Sequence, residues 1–336
     1  MNKLGKHTWE YTTPVYIQAS GTAVGPDEKK GPLGGWFDSS FQTLYCGETS
    51  FIKAERKLMK TAFQTCLDKS GVRENQIDYL LAGDLDHQLT ASSFTSRDLS
   101  IPLFGMYSAC ATVAQTLLTA AMLIDTRLAN YVVACASSHY GIAERQFRYP
   151  TEAAVQKRQT AQYTVTGAGA VLLGKKKSNV QITSATVGET IDVGLKDPSN
   201  LGAVMAPAAG HTLLTHLRET NREISDYDLI LTGDLGRVGS GIFRKWTREH
   251  GVLLDERHED GGSRIFRSTN VFLAGGSGAG CAAVVTYSNV LERLKQGTLK
   301  RVLLIATGAL FSRETVKLGE TIPAVAHAVA LEGVES

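Results

Sequence analysis

The chain has 336 residues, of which 43% are hydrophobic and 20% are charged, and its formal net charge is +2 at pH 7. This composition suits one large domain or two fused halves with a sizeable core, and it excludes a disordered segment. The near-neutral charge argues against nucleic acid as a partner. Five cysteines without a C-x-x-C pair argue against a disulfide scaffold or a structural zinc site and indicate a reducing compartment.

In chain order, the first half of the sequence predicts a helix, a strand, a buried helix and a second strand. Residues 51–69 have the apolar periodicity of an amphipathic helix, and residues 78–85 are typical of a buried strand that ends in a Gly-Asp turn. Residues 99–124 carry no charged side chain, and residues 131–134 indicate the next strand.

The same order returns in the second half. A helical pattern around residues 211–220 precedes 228–235, which repeats 78–85 at an offset of 150 residues. The sequence from Cys110 matches that from Cys281 at an offset of 171, and the same offset places Tyr131 on Val302. We expect two α/β halves, residues 1–178 and 179–336, with mostly parallel sheets facing each other across the charge-free helices.

The charge-free stretches, 99–124 and 268–291, are each long enough to cross a bilayer. A transmembrane interpretation therefore stays open, but their glycine, serine and threonine content favours helices buried inside protein. The polar start, Met1 to Glu10, lacks the apolar segment of a secretory signal. We therefore expect a soluble protein of cytoplasmic type.

Cys110 is the sharpest chemical feature of the sequence. It lies where a loop with Pro102 and Gly105 turns into the first charge-free helix. A helix N-terminus stabilises a thiolate and attracts anions, so this position suits a nucleophile or an anion-binding floor, with a lowered thiol pKa. The alternative is a small buried apolar side chain, as most free cysteines are. Cys281, its counterpart, is expected to serve packing.

Three motifs carry a family resemblance. Ser108-Ala109-Cys110-Ala111, the glycine-rich run from Thr166 to Leu173 and that from Gly275 to Gly280 resemble the thiolase-like condensing enzymes, particularly their ketoacyl-synthase III branch. The resemblance covers the chain from about Phe51 to its end. It implies an α/β fold of two pseudo-duplicated βαβαβαββ halves in a five-layered α-β-α-β-α sandwich, and a homodimer.

The chain departs from that enzyme pattern at the groups that handle protons. Gly233 and Asp234 stand where the family has a histidine, and Gly276 stands near the position of its asparagine. Residues 306–310 lack the second cysteine of a thiolase. Carbon–carbon bond formation needs such groups to stabilise the enolate and the oxyanion, so we expect no catalytic residues and no enzyme.

The opening Gly34 to Asp38, together with Asp84 to Gln88 and Ser137 to Gly141, resembles a sporulation branch of this superfamily. That resemblance implies binding of dipicolinic acid, or of its calcium chelate, for uptake into the developing spore. It also implies peripheral association with the spore inner membrane, beside the membrane proteins of the same sporulation assembly. No cofactor or resident metal is expected, since calcium would be carried in by the ligand.

Six residues are the candidates for the ligand pocket. They are Ser108, Cys110, Ser277, His139, Asp84 and Asp234. Ser108 and Cys110 are expected to form the floor, and Ser277 to replace a lost hydrogen-bond donor. His139 follows a strand at its carboxyl end, where ligands gather, although a locally bonded loop histidine is an alternative. Asp84 and Asp234 either form turns and caps or hold the calcium of the ligand.

Two other functions stay open at this point. The first is a Cys110-dependent acyltransferase or condensing enzyme that acts on thioesters of coenzyme A or acyl carrier protein. The second is a scaffold subunit with a vestigial pocket.

Overall fold

The computed structural model describes residues 1–147 and 158–334. Its helices are α1 (Pro26–Lys29), α2 (Phe51–Ser70), α3 (Thr90–Leu99), α4 (Thr112–Asp125), α5 (Tyr140–Phe147), α6 (Leu201–Thr220), α7 (Gly236–Glu249), α8 (Gly261–Ile265), α9 (Ala279–Val285), α10 (Leu291–Lys295) and α11 (Arg313–Lys317). A π-helical turn, Thr286–Val290, joins α9 to α10. The strands are β1 (Asn2–Lys3), β2 (Thr8–Val24), β3 (Ser39–Ser40), β4 (Tyr79–Gly83), β5 (Leu103–Gly105), β6 (Tyr131–Ser138), β7 (Tyr163–Thr164), β8 (Gly167–Gly174), β9 (Val180–Val187), β10 (Leu229–Thr232), β11 (His258–Asp260), β12 (Gly276–Ser277), β13 (Arg301–Ala309) and β14 (Ala324–Gly333).

The predicted helices form, with one difference in length. The Ser50 hydroxyl accepts a hydrogen bond from the Lys53 amide at the start of α2, and Gly71 ends that helix with φ of 69°. Helix α6 begins at Leu201, ten residues before the predicted start. Pro207 lies inside α6, and proline usually disfavours a helix interior, so the sequence pattern gave no reason to extend the helix past it.

The layers follow the prediction of a five-layered sandwich. One core cluster joins α4 and α9 to the inward faces of β4, β6 and β8 on one side and of β10, β13 and β14 on the other. Helix α2 covers the outer face of the first group of strands, and α6 covers that of the second. The charge-free helices are therefore buried between sheets, as expected. Among the described helices, none combines the length and apolarity that crossing a membrane requires.

The sheets are mixed rather than mostly parallel. Strands β5, β4 and β6 are parallel, as are β11, β10 and β13, whereas β8 and β14 run antiparallel to their neighbours. The prediction of mostly parallel sheets was wrong because the chain turns back beside β6 and β13, and antiparallel neighbours need no crossover helix.

Strand β2 belongs to both sheets. Its first residues pair with β9 and its later residues pair with β8. The two sheets therefore form one hydrogen-bonded path in the order β11-β10-β13-β14-β9-β2-β8-β6-β4-β5. The predicted boundary at residues 178 and 179 lies between β8 and β9, but the N-terminal part of β2 completes the second sheet. The division into two domains stays a prediction.

Two aspartates mark the internal repeat in the structure. Asp78 accepts hydrogen bonds from the amides of Asn130 (2.7 Å) and Tyr131 (3.0 Å), and Asp228 accepts from those of Lys300 (2.7 Å) and Arg301 (2.8 Å). Each carboxylate thus holds the start of the neighbouring parallel strand.

Strand register corrects the predicted repeat by one residue. Tyr79 pairs with Val132, and its counterpart Leu229 pairs with Val302. Val132, not Tyr131, is therefore the counterpart of Val302. The prediction counted from Cys110 and Cys281, but Cys110 precedes α4 whereas Cys281 lies inside α9.

Candidate functional site

Cys110 lies in a tight turn at the entrance to α4. Ala109 has φ of 48°, and the Ala111 amide donates to the Ser108 carbonyl at 3.0 Å. The Thr112 hydroxyl accepts from the Ser108 amide and donates to the Ala109 carbonyl, which locks the turn from the helix side. A left-handed alanine is uncommon, and here it directs the Cys110 side chain into a cavity.

Polar groups from the second half of the chain meet the sulfur. The Cys110 Sγ lies 3.8 Å from the Ser277 hydroxyl oxygen, and that hydroxyl donates to Asp234 Oδ2 at 2.8 Å. The Gly278 amide also donates to Oδ2 (3.0 Å), and the Thr307 hydroxyl donates to Oδ1 (2.8 Å). Asp234 is fully buried. These three donors fix the carboxylate directly behind Ser277.

The electrostatics of this group hold Cys110 in its thiol form. Burial raises the pKa of Cys110 well above its ordinary value, and the nearby Asp234 carboxylate raises it further. Hydrogen bonds to Ser277 and the Gly278 amide oppose this rise but are the smaller influences. The predicted lowering of the thiol pKa was wrong. Cys110 lies two residues before α4, and burial beside an acid outweighs the field of the helix N-terminus.

Burial also raises the pKa of Asp234, against four hydrogen bonds that favour its ionised form, from the Gly278 amide and the side chains of Thr307, Ser277 and Cys110. An extra negative charge in this group would therefore meet a low-dielectric site that already holds an acid. The arrangement disfavours a thiolate and any other anionic centre at the sulfur.

Cys110 and Ser277 line a cavity of about 640 Å³ that is partly open to solvent. Its walls are mainly apolar and aromatic. The other lining residues among those described are Leu85, Ala109, Ala143, Glu144, Phe147, Gln162, Thr164, Pro198, Ser199, Leu201, Gly278, Ala309 and Phe311. Phe147 and Phe311 contact each other with ring centroids 5.4 Å apart.

The described lining of the cavity carries no positive charge, which is unexpected for a site predicted to bind an anion. Glu144 is its one acid, and no lysine or arginine lies among the lining residues that the structure describes. The polar groups that a ligand meets are instead neutral ones, from Ser277, Thr164, Ser199 and Gln162.

Two predicted residues lie beside the cavity without lining it. Asp234 accepts from the Ser277 hydroxyl and also from the Cys110 thiol. The Ser108 hydroxyl lies 3.4 Å from His327 Nε2, beneath the turn that carries Cys110. Burial lowers the pKa of His327 to about 4, so this imidazole is neutral.

Two other predicted residues do not reach the cavity. His139 is buried between β6 and α5; its Nε2 lies 2.7 Å from the Leu44 carbonyl oxygen, and its Nδ1 accepts from the Gly141 amide. Asp84 accepts from the amide and hydroxyl of Ser92 and from the Asp86 amide. Asp84 is used locally, as its turn-and-cap interpretation had it, whereas His139 is buried and held by Leu44, 95 residues away in the sequence. Neither side chain lines the cavity.

Sequence reasoning missed most of the cavity wall. Glu144 and Phe147 lie on α5, whereas Gln162 and Phe311 come from two separate loops, and no local pattern connects these three segments. His327 had a detectable signal, because it interrupts the otherwise apolar run of residues 324–331 in β14.

Within the described chain, no residue from elsewhere in the sequence supplies the histidine that the condensing-enzyme pattern requires beside the cysteine. No histidine in residues 1–147 or 158–334 hydrogen-bonds to the Cys110 sulfur, and Ser277 and Asp234 occupy its surroundings. In the same part of the chain, no group of three or more histidine, cysteine, aspartate or glutamate side chains is arranged to hold a metal ion.

Comparisons with solved structures establish the fold. The 3-oxoacyl-[acyl-carrier-protein] synthase III of Aquifex aeolicus VF5 superimposes with a TM-score of 0.56 at 14% identity, covering 97% of this chain and 99% of that one. Cerulenin-bound OleA of Xanthomonas campestris gives a TM-score of 0.63 at 11% identity over 95% and 98% of the two chains. The thiolase-like, ketoacyl-synthase III-like fold is thereby confirmed.

Sequence comparison gives a narrower assignment. The chain is 45% identical over 332 residues to the stage V sporulation protein AD of Bacillus subtilis (strain 168), covering 99% of this chain and 98% of that protein. Residues 5–332 match the family described as stage V sporulation protein AD (SpoVAD). With its fold, its cysteine turn and these matches together, the chain belongs to the SpoVAD family of sporulation proteins.

Proposed function

We propose that this protein binds dipicolinic acid, alone or as its calcium chelate, without catalysis, for uptake into the developing spore. The observation that carries the proposal is the cavity that ends on Cys110, where Ser277 and Asp234 take the place of the imidazole and amide that a condensing enzyme needs. The pocket of the fold is kept, and its proton-handling groups are replaced.

The chemistry of the site supports binding over condensation. A condensing enzyme needs a nucleophilic thiolate and donors aimed at a developing negative charge. Burial and Asp234 keep Cys110 protonated, and the Ser277 hydroxyl already donates to Asp234. The acid would raise the energy of an enolate or oxyanion formed beside it. The same groups can hold a bound molecule by contact and hydrogen bonding.

The cavity also suits the shape of the proposed ligand. Dipicolinic acid is a flat aromatic ring flanked by two carboxyl groups. Phe147 and Phe311 offer an aromatic wall, and the hydroxyl groups of Thr164 and Ser199 lie in the lining as hydrogen-bonding partners.

Charge favours the calcium chelate over the free dianion. Among the described lining residues, Glu144 is acidic and none is basic, so a free dianion beside these residues loses solvation and meets no cation among them. In the chelate, calcium neutralises the two carboxylates before they enter. The protein then needs no metal site or cofactor of its own.

The wider role includes membrane partners. We propose that the protein acts as a peripheral subunit at the spore inner membrane, next to other SpoVA membrane proteins, and that it forms a homodimer. Membership of a sporulation family supports this role.

Titration calorimetry with dipicolinate, with and without calcium, tests the ligand. We expect saturable binding of the wild type that is tighter with calcium than without it. Glu144→Gln should improve affinity for the free dianion and so reduce the difference in affinity between the two forms of the ligand. A protein that shows neither heat of binding nor a rise in Tm with either form would be a scaffold with a vestigial pocket.

The second candidate function is Cys110-dependent acyl transfer, because the cavity ends on a cysteine and one structural neighbour is described as an acyltransferase. Incubation with acyl-coenzyme A or acyl carrier protein thioesters, followed by intact mass, separates the two. Acylation of Cys110 that turns over would establish the enzyme, and an unmodified chain supports the binding protein.

A further inference from the structure

A second concave surface is rich in arginine. Among the described residues, it shares no lining residue with the cavity. We name it the arginine groove. Its lining residues are Pro32, Leu33, Trp36, Arg237, Ser263, Arg264, Phe266, Arg267, Ser268, Asn289, Arg293, Gln296 and Thr298. It is wide and open, with about 1,250 Å³ of space between its walls. Four of these side chains are arginines, and none is acidic.

The arginines are held in place but not neutralised one by one. The Arg237 guanidinium donates to four backbone carbonyls, including those of Phe272 (2.6 Å) and Phe266 (2.8 Å). Arg264 and Arg293 share one acid, Glu259, which lies behind the groove. These contacts fix three guanidinium groups at one surface at a small entropic cost and leave a surplus of positive charge.

The remaining acids near the groove do not face into it. Asp260 is buried and caps α8 by accepting from the Ser263 amide, and Glu292 accepts from the Gln296 side chain at the edge. Arg267 is exposed, and its guanidinium makes no hydrogen bond or ion pair within the described chain. Arg267 is thus the arginine most open to an external anion.

An exposed indole stands on the same rim. Trp36 is 41% exposed, in a turn where its amide donates to the Leu33 carbonyl at 2.9 Å. Pro32 and Leu33 line the groove beside it. A tryptophan next to basic residues is typical of surfaces that lie at the boundary between water and lipid.

We propose that the arginine groove is the surface by which this protein contacts the anionic lipid headgroups of a bilayer. The inference rests on the peripheral membrane association proposed above and names the face that makes the contact. Each guanidinium group can donate two parallel hydrogen bonds to a lipid phosphate. The indole of Trp36 enters the headgroup layer. The openness of the groove favours an extended surface over one small phosphate ligand, which would need an enclosed site.

The other basic face of the chain is a less suitable candidate. A groove along α2 presents Lys53, Arg56, Lys57 and Lys60, but Glu48 and Asp98 line it as well. Arg56 and Lys60 both bind Asp98, at 2.8 and 3.2 Å, and with two acids in its lining that groove has a smaller surplus of positive charge than the arginine groove. Lys57 in this groove provides a matched control.

Vesicle co-sedimentation of the full chain tests the proposal. The probes are vesicles of phosphatidylcholine alone and of phosphatidylcholine with phosphatidylglycerol, at low and high salt. We expect binding that needs the anionic lipid and weakens with salt. Arg267→Glu should weaken it by more than about tenfold, since the charge reversal removes one attraction to the anionic surface and adds one repulsion. Trp36→Ala should weaken it as well, and Lys57→Glu should have little effect.

Several outcomes would overturn the proposal. The first is that the wild type does not bind anionic vesicles, and the second is that Arg267→Glu and Lys57→Glu lose vesicle affinity equally. The third is that inorganic phosphate raises the Tm, Arg267→Glu abolishes that rise, and vesicle binding is absent. Binding of an acidic protein without vesicle binding would do the same. Dipicolinate calorimetry on Arg267→Glu, with Tm as a folding control, keeps the two proposals separate, because ligand affinity should be unchanged.

Discussion

The Cys110 sulfur lies 3.8 Å from the Ser277 hydroxyl oxygen, although 167 residues separate them. The contact joins the two halves of the pseudo-duplicated fold, because Cys110 precedes α4 and Ser277 forms part of β12 before α9. Asp234, which lies behind Ser277, is the acidic group next to the Cys110–Ser277 pair. The chemistry of the cavity floor therefore depends on Asp234 as much as on the cysteine.

The first prediction concerns the reactivity of Cys110. Because Asp234 raises the pKa of Cys110, the thiol should react with iodoacetamide more slowly than a free cysteine at pH 8, and its rate should keep rising above pH 9. Asp234→Asn lowers that pKa and should speed alkylation by roughly an order of magnitude. Intact mass against time measures the rate, and Cys110→Ala identifies the site. Equal rates in a folded Asp234→Asn variant would show that the acid does not control the thiol.

A second prediction separates shape from charge at the cavity floor. Cys110→Ala removes one contact and should weaken dipicolinate binding moderately, by about 1 kcal/mol. Cys110→Asp places a second acid next to Asp234 and should weaken binding far more, since an unpaired buried charge costs several kcal/mol. Calorimetry on both variants measures the difference. Wild-type affinity in both would remove Cys110 from the binding site.

The third prediction concerns a buried acid outside the cavity. Glu28 is 1% exposed, and its Oε1 accepts from the Thr166 amide at 2.8 Å, while burial raises the pKa of Glu28 to about 8. Between about pH 4.5 and 8 the folded chain keeps this proton and the unfolded chain releases it. The free energy of unfolding should therefore fall as pH rises through this window.

Glu28→Gln keeps the acceptor for Thr166 and removes the titration. Urea unfolding at several pH values should show that the variant gains stability relative to the wild type as pH rises toward 8, with no further gain above that. Other buried acids titrate in both proteins, so the difference between the two curves isolates Glu28. A constant difference across the window would contradict the assignment.

The fourth prediction uses the internal repeat as a matched pair. Asp78 and Asp228 each accept two backbone hydrogen bonds at the start of a neighbouring strand, one in each half. Asp78→Ala and Asp228→Ala should each lower the free energy of unfolding by about 1 kcal/mol, because both sites are partly open to water. Urea unfolding measures both. A loss at one site only would show that the two carboxylates are not equivalent.

The sequence predicted the elements whose pattern is local and periodic. The helices that became α2, α4 and α9 were identified from apolar spacing and missing charge, and the strands β4 and β10 from their repeated apolar run. Helix α6 was predicted too short because Pro207 interrupts its pattern. Strand direction was predicted less well, since the antiparallel placement of β8 and β14 depends on contacts between distant segments.

The candidate site was predicted in its centre and not in its walls. Cys110 stood out because of its turn, and Ser277 because of its place in a glycine-rich run. The environment of His139 could not be foreseen, since its partner at Leu44 lies 95 residues away in a loop without a pattern. The pKa of Cys110 was misjudged for a similar reason, because burial by distant segments raises it and Asp234 in the other half of the chain raises it further.

Strand β2 has a consequence for biosynthesis. Thr8 to Glu10 leave the ribosome early, but their partners in β9 are Ser184 to Thr186, which are translated much later. The nascent chain therefore holds an unpaired edge at Thr8 to Glu10 through more than half of synthesis. Protection of this edge during translation becomes a requirement for a productive yield of the protein.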